Sequence, residues 1–151
     1  GKRLRHRLGV MAPQTLVLQV DADSGIRRHG REAYPYECCG ALIGRDRVVT
    51  EALALPNSTD EGPRRRFLVR PVDYLVAERR AAALEAELIG FYHSHPDSPA
   101  RPSQYDLDHA WPALAYVIVA VEQAEPRALT SWRLREDRSA FDQETVEVEP
   151  R

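Results

Sequence analysis

Two histidines, a serine and an aspartate stand close together past the middle of the chain: His93-Ser94-His95-Pro96, then Ser103 and Asp106. Residues two apart on a β-strand project from the same face, about 6–7 Å apart along the backbone, so His93 and His95 can converge on one ion from a strand end. Asp106 falls in the first turn of a helix expected next. Two imidazoles and one carboxylate make a three-donor set that leaves a fourth tetrahedral position for water, the arrangement of catalytic rather than structural zinc. The oxygen donor and the lack of a paired-thiolate motif favour zinc over an iron–sulfur cluster, while another divalent metal stays open. A plainer account exists. Ser103-Gln104-Tyr105-Asp106 has the Ser-x-x-Asp pattern of a capping box, in which both side chains satisfy amides at a helix start. A cap explains neither His93 nor His95, and the Pro-rich segment 97–102 keeps the helix start near the strand end.

The strand that must present the histidines begins with Leu88-Ile89-Gly90-Phe91-Tyr92, an apolar run of the buried type, and Pro96 ends it. Ser103 opens a short helix to about Ala110. Upstream, residues 15–20 read as a strand, and Asp21-Ala22-Asp23-Ser24 as the cap of a helix that must stop before Pro35. Residues 39–44 and 48–55 read as strands joined at the polar turn Arg45-Asp46-Arg47. Residues 56–71 form a long polar loop containing Arg64-Arg65-Arg66. Residues 72–86 are a predicted helix, with Val72, Leu75, Val76, Ala83 and Ala86 near one face. Further strands are expected over 115–121, 129–134 and 145–148. This order implies one α/β (α+β) domain over residues 13–151, a single mixed β-sheet flanked by helices. Residues 1–12 are expected to be a tail, disordered or added to the natural chain.

A chain of 151 residues with a formal net charge of −2 gives no reason to expect nucleic acid as a partner. Its longest apolar run, 113–121, is about half the ~20 residues that cross a bilayer, so no membrane span is expected. Cys38 and Cys39 are adjacent, a poor geometry for a disulfide, which favours a reducing, cytoplasmic setting. The Pro-Cys-x-x-Cys of zinc deaminases, the helical His-Glu-x-x-His of other zinc proteases and the Gly-x-Ser-x-Gly of serine hydrolases do not occur in the sequence.

Taken as a spaced set, His93-x-His95, seven residues, Ser103, two more and Asp106 resembles the JAMM motif of the JAMM/MPN+ metallopeptidases. Those enzymes also carry a glutamate near the end of the first helix, and Glu37, in Pro35-Tyr36-Glu37-Cys38-Cys39-Gly40, sits in the matching place. Glu37-Cys38-Cys39-Gly40-Ala41-Leu42-Ile43-Gly44, Gly90-Phe91-Tyr92-His93-Ser94-His95-Pro96 and the strand from Tyr116 to Val121 are similar to the short prokaryotic branch of that family. The resemblance implies a JAMM/MPN (cytidine-deaminase-like) architecture with one Zn2+ on His93, His95 and Asp106. It also implies hydrolysis of a peptide or isopeptide bond, with Glu37 as general base and Ser103 as donor to the developing oxyanion. Ser94, on the other face of the strand, is expected to be structural.

Members of similar length often act on ubiquitin-like or sulfur-carrier proteins, releasing what is joined to their C-terminal glycine. Such a tail is expected to bind extended beside a sheet edge. Arg64, Arg65 and Arg66 are candidates to meet an acidic partner or a terminal carboxylate, against the plainer reading of a solvated charge cluster. A homodimer is left open. The competing readings are a non-catalytic scaffold of the same fold and a metal-free interaction module whose Ser103 and Asp106 only cap a helix.

Overall fold

The computed structural model describes residues 14–57 and 69–150. In chain order these form β1 (Thr15–Gln19), α1 (Val20–Ala33), β2 (Cys39–Arg45), β3 (Val48–Leu55), α2 (Pro71–Ala83) and β4 (Glu87–Pro96). There follow α3 (Gln104–Asp108), β5 (Ala115–Glu122), β6 (Glu125–Leu134) and β7 (Phe141–Glu149). The strands lie in the spatial order β1-β3-β2-β4-β5-β6-β7, and the sheet curls until β7 pairs in parallel with β1, from Thr15↔Thr145 to Gln19↔Glu149. It is the mixed α+β architecture expected, with a closure that no local signal announces. The expected tail at 1–12 and Arg64, Arg65 and Arg66 lie outside the described residues.

Burial explains which segments became which strands. β5 is apolar and buried along almost its whole length, as suits a strand covered on both faces between β4 and β6. At the seam of the curled sheet the buried Glu144 of β7 pairs with Arg47 from the β2–β3 turn and accepts a hydrogen bond from the Ser131 hydroxyl of β6 at 2.7 Å. β1 pairs with β3 only at Val48 and Val49, so beyond Val49 the outer edge of β3 has no strand partner among the described residues.

α1 starts at Val20, directly after β1 and ahead of every residue of the expected Asp21–Ser24 cap. Its N-cap, Gln19, makes no side-chain bond. Asp21 and Asp23 sit inside the first turn, where their charge complements the helix dipole, instead of preceding it as caps. Ala22, Ile26 and Gly30 repeat at helical spacing and are buried. Gly30 marks a close approach: a Cβ there would lie 3.0 Å from a Val121 methyl, which would have to give way slightly, and 3.7 Å from the Ser94 Cβ. α1 touches β1 and β3 through β7, on the inner side of the sheet, where Leu16, Leu18, Ile26, Leu42, Tyr92, Val117 and Val119 form the main core. Burying each of the larger aliphatic chains contributes about 1.5–3 kcal/mol.

α2 covers the other side of β2 and β4, with Ala77 in the cluster of Cys39, Ala41 and Phe91 and Ala81 also buried. The face expected to be buried is the wrong one. Val72, Leu75 and Val76 are 53, 44 and 45% exposed, while Asp73, Ala77 and Ala81 face inward. Small alanines let the helix sit close on the sheet, and Asp73 is tolerated there because Arg70 pairs with it at 3.0 Å.

Candidate metal centre

Strand alternation on β4 sets the site. Phe91 belongs to the α2-side cluster and Tyr92 to the α1-side core, so His93 and His95 share the face of Phe91, and Ser94 faces α1. Both imidazoles are buried. Their Nε2 atoms are 3.0 Å apart. The third donor comes from α3, whose first turn is closed by the capping box: the Ser103 hydroxyl accepts the Asp106 amide at 3.1 Å, and Asp106 Oδ2 accepts the Ser103 amide at 2.8 Å. That same Oδ2 lies 3.3 Å from His93 Nε2 and 3.4 Å from His95 Nε2. The cap is therefore what aims the carboxylate at the histidines, and one oxygen both closes the cap and faces the two imidazoles.

The donor set fits a small cation. Bonds of about 2.0–2.1 Å in tetrahedral geometry place neighbouring donor atoms about 3.3 Å apart, close to all three sides of this triangle. His95 Nδ1 donates to the Pro99 carbonyl at 2.8 Å, and in the neutral ring this leaves the Nε2 lone pair facing the centre. Burial pushes the pKa of His93 down and favours its neutral form. Burial acts the same way on His95, but Asp106 and the Pro99 carbonyl outweigh it and the net shift is upward. For Asp106, burial alone would raise the carboxyl; His93, His95 and the Ser103 amide outweigh it and hold the group well below the usual carboxylate range. An ionised carboxylate beside two imidazoles is the protonation state a metal requires.

Glu37 reaches the site from the segment between α1 and β2. It is buried, with a carboxylate oxygen in a group with ligand atoms of His93 and His95 that all lie within 4.8 Å of one another. The peptide group that follows it is held at both its oxygen and its nitrogen. Asn57 Nδ2 donates to the Glu37 carbonyl at 3.1 Å, and the Cys38 amide donates to the Ser94 hydroxyl at 2.9 Å. Ser94 thus completes the last rung between β2 and β4 with its side chain, since its own amide already donates to Cys38 O at 3.1 Å. The adjacent thiols face opposite sides of the sheet, Cys38 into the α1-side core and Cys39 into the other cluster, and both are free. Burial pushes them up to about 11 and about 12.

The structure brings Glu37, His93, His95, Ser103 and Asp106 together. Arg64, Arg65 and Arg66 fall outside the described residues. Sequence reasoning missed Asn57 and the Pro99 carbonyl, which act through a loop amide and a main-chain oxygen and leave no motif. The one available signal was position, Asn57 lying just past the end of β3 and Pro99 in the short connection to α3.

Residues 20–135 match the family model described as prokaryotic homologs of the JAB domain. The chain is 35% identical over 115 residues to a desampylase of Haloferax volcanii, covering 72% of this chain and 82% of that one. It is 33% identical over 117 residues to a probable TtuB-protein conjugate cleaving protease of Thermus thermophilus, covering 78% and 74%. Among solved structures, a JAB1/MPN-domain protein of Archaeoglobus fulgidus superposes with a TM-score of 0.61 at 19% identity, over 90% of this chain and 99% of that one.

Proposed function

The chain belongs to the prokaryotic homologues of the JAB domain, and from that premise we propose that it is a zinc-dependent metallopeptidase cleaving the amide bond at the C-terminus of a ubiquitin-like or sulfur-carrier protein. The observation that carries the reading is the triangle of His93 Nε2, His95 Nε2 and Asp106 Oδ2, with sides of 3.0, 3.3 and 3.4 Å and the Glu37 carboxylate beside it. The names of the relatives, desampylase and TtuB-conjugate protease, support the substrate class.

His93, His95 and Asp106 would hold the zinc, which would act as a Lewis acid and bring the pKa of a bound water to about 7. Glu37 takes a proton from the attacking water and returns it to the leaving amine, a step worth roughly 10²–10⁴ in rate. The Ser103 hydroxyl oxygen accepts the Asp106 amide and keeps its own proton free to donate to the oxygen that becomes negative in the tetrahedral intermediate. The extended tail of the carrier has a place to lie. The outer edge of β3, without a strand partner beyond Val49 among the described residues, ends at Leu55, opposite Cys39, which is in turn opposite His93, so a strand added there would lead to the zinc ligands. The proposal places the protein in the cytoplasm, where its free thiols stay reduced. No helix among the described residues is long and apolar enough to cross a membrane.

The test is cleavage of a ubiquitin-like carrier extended beyond its C-terminal glycine, using zinc-loaded protein with a chelator control. Release of the extension, abolished by the chelator and restored by zinc, is the expected result. An intact carrier after prolonged incubation with protein shown to contain one zinc per chain refutes the proposal.

A further inference from the structure

No residue between α1 and β2 belongs to a helix or strand, yet this segment carries Glu37, and a general base works only at a fixed distance from its water. The downstream side of Glu37 is fixed by Asn57 and Ser94, as described. The upstream side depends on a different pair. The Tyr34 hydroxyl, at the C-cap of α1, donates to Asp97 Oδ2 at 2.5 Å. Asp97 lies two residues past His95 and is itself immobilised. Its amide donates to the Val121 carbonyl at 2.7 Å, its Oδ1 accepts the Gln123 amide at 2.8 Å, and its φ of 53° is a left-handed conformation that aspartate tolerates well. One carboxylate therefore joins the end of β4, the β5–β6 turn and the residue three before Glu37. Tyr36 adds a turn bond, its amide donating to Ala33 O at 2.8 Å.

We propose that Tyr34 and Asp97 are positioning residues: their hydrogen bond straps the segment bearing Glu37 to the end of the strand bearing His93 and His95, and so sets the base relative to the zinc ligands. The inference rests on the proposed hydrolase reading for its consequence on rate, although the strap can be tested without activity. A short O–H···O⁻ bond is strong, and Asp97 is exposed, so its effect is local registration more than global stability. Neither residue touches the reacting atoms.

Tyr34→Phe removes one hydroxyl and leaves the ring packed against the core; Asp97→Ala removes the acceptor. Each variant is expected to lower kcat about ten- to a hundredfold. KM should move by no more than about twofold, because substrate and zinc contacts are intact. Zinc affinity should match that of the parent protein, and the double variant should be no slower than the worse single one. Independently of turnover, amide hydrogen exchange at Tyr36 and Cys38 should speed up in Tyr34→Phe while the β5 amides stay protected. Unchanged exchange at Tyr36 and Cys38 overturns the strap, as do additive losses in the double variant or a rate loss accounted for by KM or by zinc. If the parent protein cleaves no carrier, the hydrolase reading fails, and the exchange result alone decides whether the strap exists.

Discussion

Asp106→Asn separates the two tasks of one oxygen. In the parent protein Oδ2 accepts the Ser103 amide at 2.8 Å and stands 3.3 and 3.4 Å from the two imidazole nitrogens. An asparagine with its carbonyl oxygen in that position keeps the cap and the shape while removing the negative charge. Loss of a group that merely supports a metal ligand costs about 10–100-fold in affinity, so neutralising a direct donor should cost at least ~100-fold, or ~2.8 kcal/mol. Asp106→Ala loses zinc as well and also forfeits the cap, a further ~1 kcal/mol that lowers the melting temperature by about 2–4 °C in a domain of this size. The assays are competition for zinc against a chromogenic chelator and thermal melts of the metal-free proteins. Acidity gives an internal check. Because the folded Asp106 carboxyl is held below its ordinary value of 3.8, its contribution in the metal-free protein is complete above that value and is lost as pH falls toward the lower folded value. Asp106→Asn should flatten that acid slope. If both variants bind zinc as tightly as the parent and only Asp106→Ala melts lower, Asp106 is a cap alone and the metal assignment is wrong.

Glu37→Gln should keep zinc and lose roughly 10²–10⁴ in kcat, since an amide matches the shape and lacks the basic oxygen; loss of zinc in that variant would make Glu37 a ligand. Ser103→Ala should lower kcat about 10²-fold beyond any change in KM, and a purely structural serine would instead show only a lower melting temperature. Ellman's reagent at pH 8 should find neither Cys38 nor Cys39 in the folded protein and both after denaturation, because burial raises both thiols; rapid labelling of the folded protein would contradict that burial.

The site residues were legible because chemistry demands particular side chains at particular spacings. His93 and His95 follow the period of a strand, and Ser103 and Asp106 follow the first turn of a helix, so both local geometries are written in short-range sequence. The hairpin of β2 and β3 was legible for the same reason, its polar turn being contiguous. What was not legible depends on distant partners. The parallel pairing of β1 with β7 joins opposite ends of the described chain. On α2, Val72, Leu75 and Val76 make the more apolar face, yet it is Asp73, Ala77 and Ala81 that are buried against the sheet, a choice set by tertiary packing that local pattern does not record. The start of α1 was misplaced because aspartates suit both a cap and a first turn, and nothing local separates the two. The holds on Glu37 escaped notice because Asn57 and Ser94 bind main-chain atoms, which every residue possesses.

The seam between β7 and β1 bears on how the protein fares in a crowded solution. A sheet whose outermost strands bond to each other offers no terminal ladder on which another molecule can stack, the usual seed of fibrous aggregates. The interrupted flank of β3 is the exception, and it is guarded by charge: Arg80 of α2 grips Glu51 there through two 2.9 Å contacts. On the proposed reading, the edge left for an extended chain is thus confined to a few residues leading to His93.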